Sequence, residues 1–129
     1  MTKFFNKSFL NWLLVFLWLG VIYFFSSQSN LKSALEPFWD FIFRKIAHMA
    51  EYFVLAYLTF RAYRSLNVSV WESLGFALII AVLAAVADEF HQLGVKGRVG
   101  SPIDVAIDSV GTLTFGVMQL NKKYLNFKI

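Results

Sequence analysis

Three short runs of this 129-residue chain carry residue types that do chemistry, and each repeats at helical spacing. Lys45, His48 and Tyr52 stand at i, i+3 and i+7, with Glu51 at the edge of the same face. Asp88, His91 and Gln92 share a second face, with Glu89 beside it. Asp104, Asp108 and Gly111, at i, i+4 and i+7, make a third, and Arg98 and Ser101 lie on the segment leading into it. Lys45 and Arg98 are suited to holding a phosphate. His48 paired with Asp88 or Glu89 has the composition of a general base and its partner. Glu51, Tyr52, Gln92, Ser101, Asp104 and Asp108 would line the substrate beside them. The same residue types also suit a metal, for which His48, Glu51, Glu89, His91 and Asp108 offer nitrogen and oxygen donors. Neither a cofactor nor catalysis itself is specified by these residues alone.

Several of them have a plainer reading. Asp104 lies in Ser101-Pro102-Ile103-Asp104, where it would cap the helix that begins there. Lys96 and Arg98 fit solvated loop cations, His48 a core histidine bonded to a carbonyl, and Lys45 a side chain that snorkels to the membrane surface. Asp88 and Glu89 resist such a reading. Carboxylates in the last turn of a helix meet the negative end of its dipole, at a cost of up to ~1 kcal/mol. They call for cationic partners, protons or a bound cation, and Lys45, His48, His91 and Arg98 are the cations at hand.

The elements that must position these residues follow from composition. Of the chain, 58% is hydrophobic, 19% aromatic and only 16% charged, with a mean hydropathy of +0.59. That leaves too little polar surface for a soluble domain of this size and excludes disorder. No cysteine is present, so disulfides, zinc-thiolate sites and cysteine nucleophiles are excluded. The net charge of +4 is dispersed in small groups between apolar stretches, unlike the basic stripe of a nucleic-acid binder. The pattern predicts an all-α integral membrane four-helix bundle forming one domain over residues 1–129, with helices at about 9–25, 38–60, 71–93 and 102–120. The second is a poor hydropathy segment because it carries Arg44, Lys45, His48 and Glu51.

Local signals set the boundaries. Pro37 suits the first turn of the second helix, Gly94 a left-handed cap after the third, and Gly97 and Gly100 a tight loop. Lys3 and Lys7 precede the first apolar run as in a signal peptide. The run is longer than a usual signal core and ends in Tyr23, Phe24 and Phe25, so a retained helix is expected. With the N-terminus inside, the inner segments hold Lys3, Lys7, Arg61, Arg64, Lys122, Lys123 and Lys128, against Lys32, Lys96 and Arg98 outside. Both termini are therefore expected to be cytoplasmic, with Glu36, Asp40, Asp88, Glu89, Asp104 and Asp108 on the outer side and Glu51 nearer the midplane. Intramembrane ionisable groups cost at least ~2.5 kcal/mol each on insertion scales, and they turn inward to meet partners. Three polar stripes in such a bundle predict one acid-rich pocket open to the outside.

The ordered series Lys45-x-x-His48-x-x-Glu51-Tyr52, Asp88-Glu89-x-x-Gln92, Gly97-Arg98-x-x-Ser101-x-x-Asp104, Asp108 and Gly111 resembles that of VanZ-like membrane proteins. The likeness runs from about Ser26 to Gly116, and Ser26 and Gln28 fit the segment that follows the family's first helix. Met49 and Lys96 depart from it, standing where an aromatic and a proline are usual. The resemblance implies a multi-pass protein of the cell membrane, in a family linked in part to teicoplanin resistance. Two functions compete. One is an outward pocket that binds or modifies a cell-envelope lipid or lipid-linked cell-wall intermediate. The other is a non-enzymatic scaffold or accessory protein whose charges form a structural ion-pair network. The expected partner in both is the lipid bilayer, and four helices leave little room for a transporter's alternating access.

Overall fold

The computed structural model describes residues 2–27, 37–94 and 102–127. They form four helices: α1 (Thr2–Ser26), α2 (Pro37–Arg64), α3 (Val70–Leu93) and α4 (Pro102–Phe127). At 1.5 Å per residue, each exceeds the roughly 30 Å of a bilayer's hydrocarbon core. The stretches Lys7–Ser26, Val70–Gln92 and Pro102–Lys122 are long and apolar enough to cross a membrane. The chain is thus all-helical, as its pattern predicts. The helices outrun the expected spans mainly at the end opposite the polar stripes, where polar residues continue the i→i−4 ladder past the apolar stretch. In α2 the extension ends on Arg61 and Arg64, cations at the negative end of the helix dipole, and Arg64 Nη1 donates to Val68 O at 2.7 Å. The short turn to α3 uses Asn67 at φ 63°, a left-handed conformation that asparagine tolerates. Ser69 then caps α3, its hydroxyl accepting from the Glu72 N–H at 3.2 Å.

The other end of α3 corrects one expectation. Gly94 does cap the helix, but in the right-handed region (φ −89°, ψ −5°), and its N–H bonds His91 O at 3.1 Å. A tightened final turn satisfies the carbonyl without a left-handed residue. The turn attributed to Gly97 and Gly100, like Ser101, lies outside the described residues.

The packing explains how α2 carries charge. It contacts α1, α3 and α4, most extensively α4, whereas among the described residues α1 makes no contact with α4. The helix with the weakest hydropathy is therefore the central one. Its inner stripe of Tyr52, Leu55, Ala56, Thr59 and Ala62 is fully buried. Facing it, α3 presents Ala77, Ala81 and Ala85, small side chains that let helices approach closely where lipid supplies no hydrophobic drive. At the end away from the polar stripes, Phe115 of α4 packs edge-on against Phe53, Tyr57 and Phe60. The outer surface is apolar on every helix, through Phe16 and Leu17, Phe43 and Ile46, Ile79 and Leu83, and Leu113 and Val117. Such a surface suits lipid rather than water.

Candidate functional site

The polar stripes meet at the end of the bundle where α1 and α3 finish and α2 and α4 begin. Lys45, one and a half turns past the first described side chains of α2, is ion-paired through Nζ with Asp104 Oδ1 in the first turn of α4. Asp104 therefore reaches across to α2 as well as standing in a helix's first turn. Both side chains are about four-fifths buried, which raises the weight of the pair above that of a surface bridge.

One turn deeper, three helices contribute one ligand-bearing side chain each. Donor atoms of His48 on α2, Asp88 on α3 and Asp108 on α4 all lie within 4.8 Å of one another. Asp88 and Asp108 are buried and His48 is half-buried. His48 Nδ1 is 3.4 Å from Glu51 Oε2, one turn along α2, though the two atoms are not aligned for a hydrogen bond. Below this layer stand two hydroxyls, Tyr52 four residues after His48 and Thr112 four residues after Asp108. Both residues are essentially inaccessible; the Tyr52 hydroxyl is directed at Asp88 without the alignment of a full hydrogen bond, and the Thr112 hydroxyl has no partner among the described residues.

The α2–α4 approach that sets this geometry depends on Gly111. A Cβ there would lie 1.9 Å from Met49 O and 2.7 Å from Met49 C, so only glycine fits. The position of the third stripe's glycine was legible, whereas its purpose as a backbone contact required the partner helix. Met49 contributes main chain at this point.

The α1 side is held by a separate set of contacts. Gln92 Nε2 lies within hydrogen-bonding distance of Ser26 Oγ (3.3 Å) and Asp88 Oδ2 (3.4 Å), joining the deep carboxylate to α1. His91 turns toward α1: its Nε2 is 2.9 Å from Ser27 Oγ and its ring stacks on Tyr23 at 4.4 Å. Trp18 Nε1 donates to the Glu51 carbonyl at 2.8 Å. Trp18, Tyr23, Ser27 and Thr112 were not singled out from the sequence. An indole N–H inside an apolar run, and a hydroxyl one turn along from an acid, were the signals available.

Of the residues expected to form a site, the structure gathers Lys45 with Asp104, His48 with Glu51, Asp88 and Asp108, Tyr52 beneath them, and Gln92 against Asp88. Glu89 occupies the neighbouring turn, half-buried, in the field of Asp104, Lys45 and Asp88 but outside the three-residue convergence. His91 is likewise outside it. The candidate ligands that converge among the described residues are His48, Asp88 and Asp108: of the expected donors His48 and Asp108 are among them, Asp88 is added, and Glu51, Glu89 and His91 lie outside. Arg98 and Ser101 lie outside the described residues.

Helices apolar on their outer faces, three of them long and apolar enough to cross a membrane, packed around a cluster of His48, Asp88 and Asp108 are the architecture of a multi-pass membrane protein. Residues 9–120 match the VanZ/LLP1 family, and the chain belongs to that family. The match takes in α2 and α3, most of α1 and α4, and every residue of the site. No curated protein and no solved structure gives a significant match.

Proposed function

We propose that this VanZ-like protein uses the polar end of its bundle, facing outward across the cell membrane, to bind or modify the head group of an envelope lipid or lipid-linked cell-wall intermediate. One observation carries the reading: three ligand-bearing side chains from three helices converge within 4.8 Å. A structural network needs only pairs. Here two carboxylates are brought toward each other and a histidine, an arrangement that is costly unless something is bound or a proton is moved. Lys45, on the turn of α2 nearer the membrane surface, is suited to an anionic head group, and Arg98 of the following loop is its expected companion. His48 would take or deliver the proton, oriented by Glu51 on one side and the aspartates on the other. The outward orientation rests on the excess of Lys and Arg in the segments at the opposite end. Removal or masking of such a lipid is also the route by which the chain would contribute to resistance to a lipid-bearing glycopeptide of the teicoplanin type.

The Lys45–Asp104 ion pair favours a second reading, in which the charges hold the bundle together and the protein is an accessory scaffold. The two part on one experiment. Purified protein in nanodiscs with and without polyprenyl phosphate is titrated, and His48→Ala is compared with the unaltered chain for lipid retention and for teicoplanin susceptibility of expressing cells. The envelope-lipid reading requires specific retention of the phospholipid-like probe and loss of protection in His48→Ala at unchanged abundance. Equal behaviour of probe and control bilayers, with full protection retained by His48→Ala, favours the scaffold.

A further inference from the structure

We infer that His48, Asp88 and Asp108 form a binding site for one divalent transition-metal ion, Mn2+ or Zn2+, with the Tyr52 hydroxyl at its floor. The inference does not depend on which molecule the site serves.

The first ground is geometric. Donor atoms of one histidine and two aspartates, one from each of α2, α3 and α4, lie within 4.8 Å of one another. Ligands bound at about 2.1 Å in a tetrahedral arrangement sit roughly 3.4 Å apart, so closure needs a shift of little more than an ångström, within reach of side-chain torsions. One imidazole and two carboxylates make a mixed nitrogen and oxygen set. The carboxylates suit Mn2+ and the imidazole suits Zn2+, while the absence of any cysteine removes the thiolates that favour softer ions.

The second ground is independent of the cluster. Tyr52 is wholly buried, and its hydroxyl is directed at Asp88 without the alignment of a full hydrogen bond, in the electrostatic field of both Asp88 and Asp108. Thr112, one turn in from Asp108, is a second buried hydroxyl, without a partner among the described residues. A buried hydroxyl directed at a ligating carboxylate is the outer-shell partner that such a ligand requires.

The third ground is the surrounding shell. Glu51 Oε2 lies 3.4 Å from His48 Nδ1, so a small rotation lets that nitrogen donate to the carboxylate and leaves Nε2 for the metal. A carboxylate behind a ligating histidine fixes its tautomer and raises its basicity. Gln92 Nε2, 3.4 Å from Asp88 Oδ2, holds the second ligand in the same way. Three protein ligands would leave a coordination position free. A phosphate oxygen or an activated water would occupy it.

The test uses the full chain, purified in detergent without a histidine tag, stripped with chelator and dialysed. Mn2+ and Zn2+ are added separately, and bound metal per chain is measured with the thermal midpoint. One equivalent is expected, with a midpoint raised by about 5–10 °C at a hundred-fold excess over Kd. Asp108→Asn and Asp88→Asn, near-isosteric changes, should each lower affinity at least ten-fold while circular dichroism stays helical. Tyr52→Phe should keep one equivalent with weaker binding, and Glu72→Gln, at the opposite end of α3, should bind as the unaltered chain does. Less than 0.1 equivalent bound with no midpoint shift up to millimolar metal overturns the inference, as does equal binding by the aspartate variants. Because no lipid is present, either outcome leaves the lipid-binding experiment to stand or fall separately.

Discussion

Gly111 of α4 lies so close to the Met49 carbonyl of α2 that an added Cβ would come within 1.9 Å of the oxygen. This contact is main chain against main chain, so no rotamer change can relieve it. The same two helices pair Lys45 with Asp104 and bring His48 near Asp108 one turn further in. The glycine therefore sets the spacing of the site as well as of the bundle.

Replacing it tests that link. Gly111→Ala should force α2 and α4 apart, lowering stability by about 1–3 kcal/mol through overpacking and weakening metal and lipid binding together. Gly20→Ala and Gly75→Ala have nothing within 4 Å of the new Cβ and should instead stabilise their helices by about 0.5–1 kcal/mol. Unfolding in detergent measures all three. A neutral Gly111→Ala would show that the helices do not approach this closely.

The Lys45–Asp104 pair should cost on the order of 2 kcal/mol when one partner is made neutral, between the values for exposed and buried pairs. Exchanging the two, as Lys45→Asp with Asp104→Lys, should recover most of the lost abundance. If Lys45 also holds an anionic head group, the exchanged protein should remain unable to retain the lipid probe. Full recovery of both would reduce the pair to a structural role.

The two histidines should behave oppositely. His91 stacks on Tyr23 and meets Ser27, facing α1, so His91→Phe keeps the ring contact and should leave lipid and metal binding within about two-fold. His48→Phe should abolish both at similar abundance, because the ring that meets Asp88 and Asp108 is the one lost. Equal tolerance of the two changes would mean that the convergence has no functional use.

Trp18→Phe removes the indole N–H that bonds the Glu51 carbonyl at 2.8 Å and keeps most of the aromatic bulk. The expected loss is about 0.6–1 kcal/mol, with binding unchanged, since hydrogen bonds within membranes are individually modest. A larger loss in binding than in stability would make α1 part of the site rather than its support.

Four helices and three inward stripes were legible because the polar residues recur at i, i+3, i+4 and i+7 in a chain otherwise too apolar for water. The choice between Asp88 and Glu89 was not. Both continue the Ala81–Ala85 stripe, at i+3 and i+4 from Ala85, and only the rotation of α3 against α2 and α4 selects Asp88 for the centre. The direction of His91 likewise depends on α1 packing beside α3, and Gly94 depends on how the last turn tightens. Local spacing places a residue on a face, whereas the neighbour that face meets is decided by helix packing.

The most direct measurement is made on Asp108→Asn, which removes a charge while keeping shape. Abundance, thermal midpoint and retention of polyprenyl phosphate in nanodiscs are determined on the same preparation. If the convergence of His48, Asp88 and Asp108 is a functional centre, abundance stays within two-fold and lipid retention falls at least ten-fold. If abundance and midpoint fall in proportion to retention, or if retention is unchanged, the carboxylate serves the bundle alone and the account of the site is wrong.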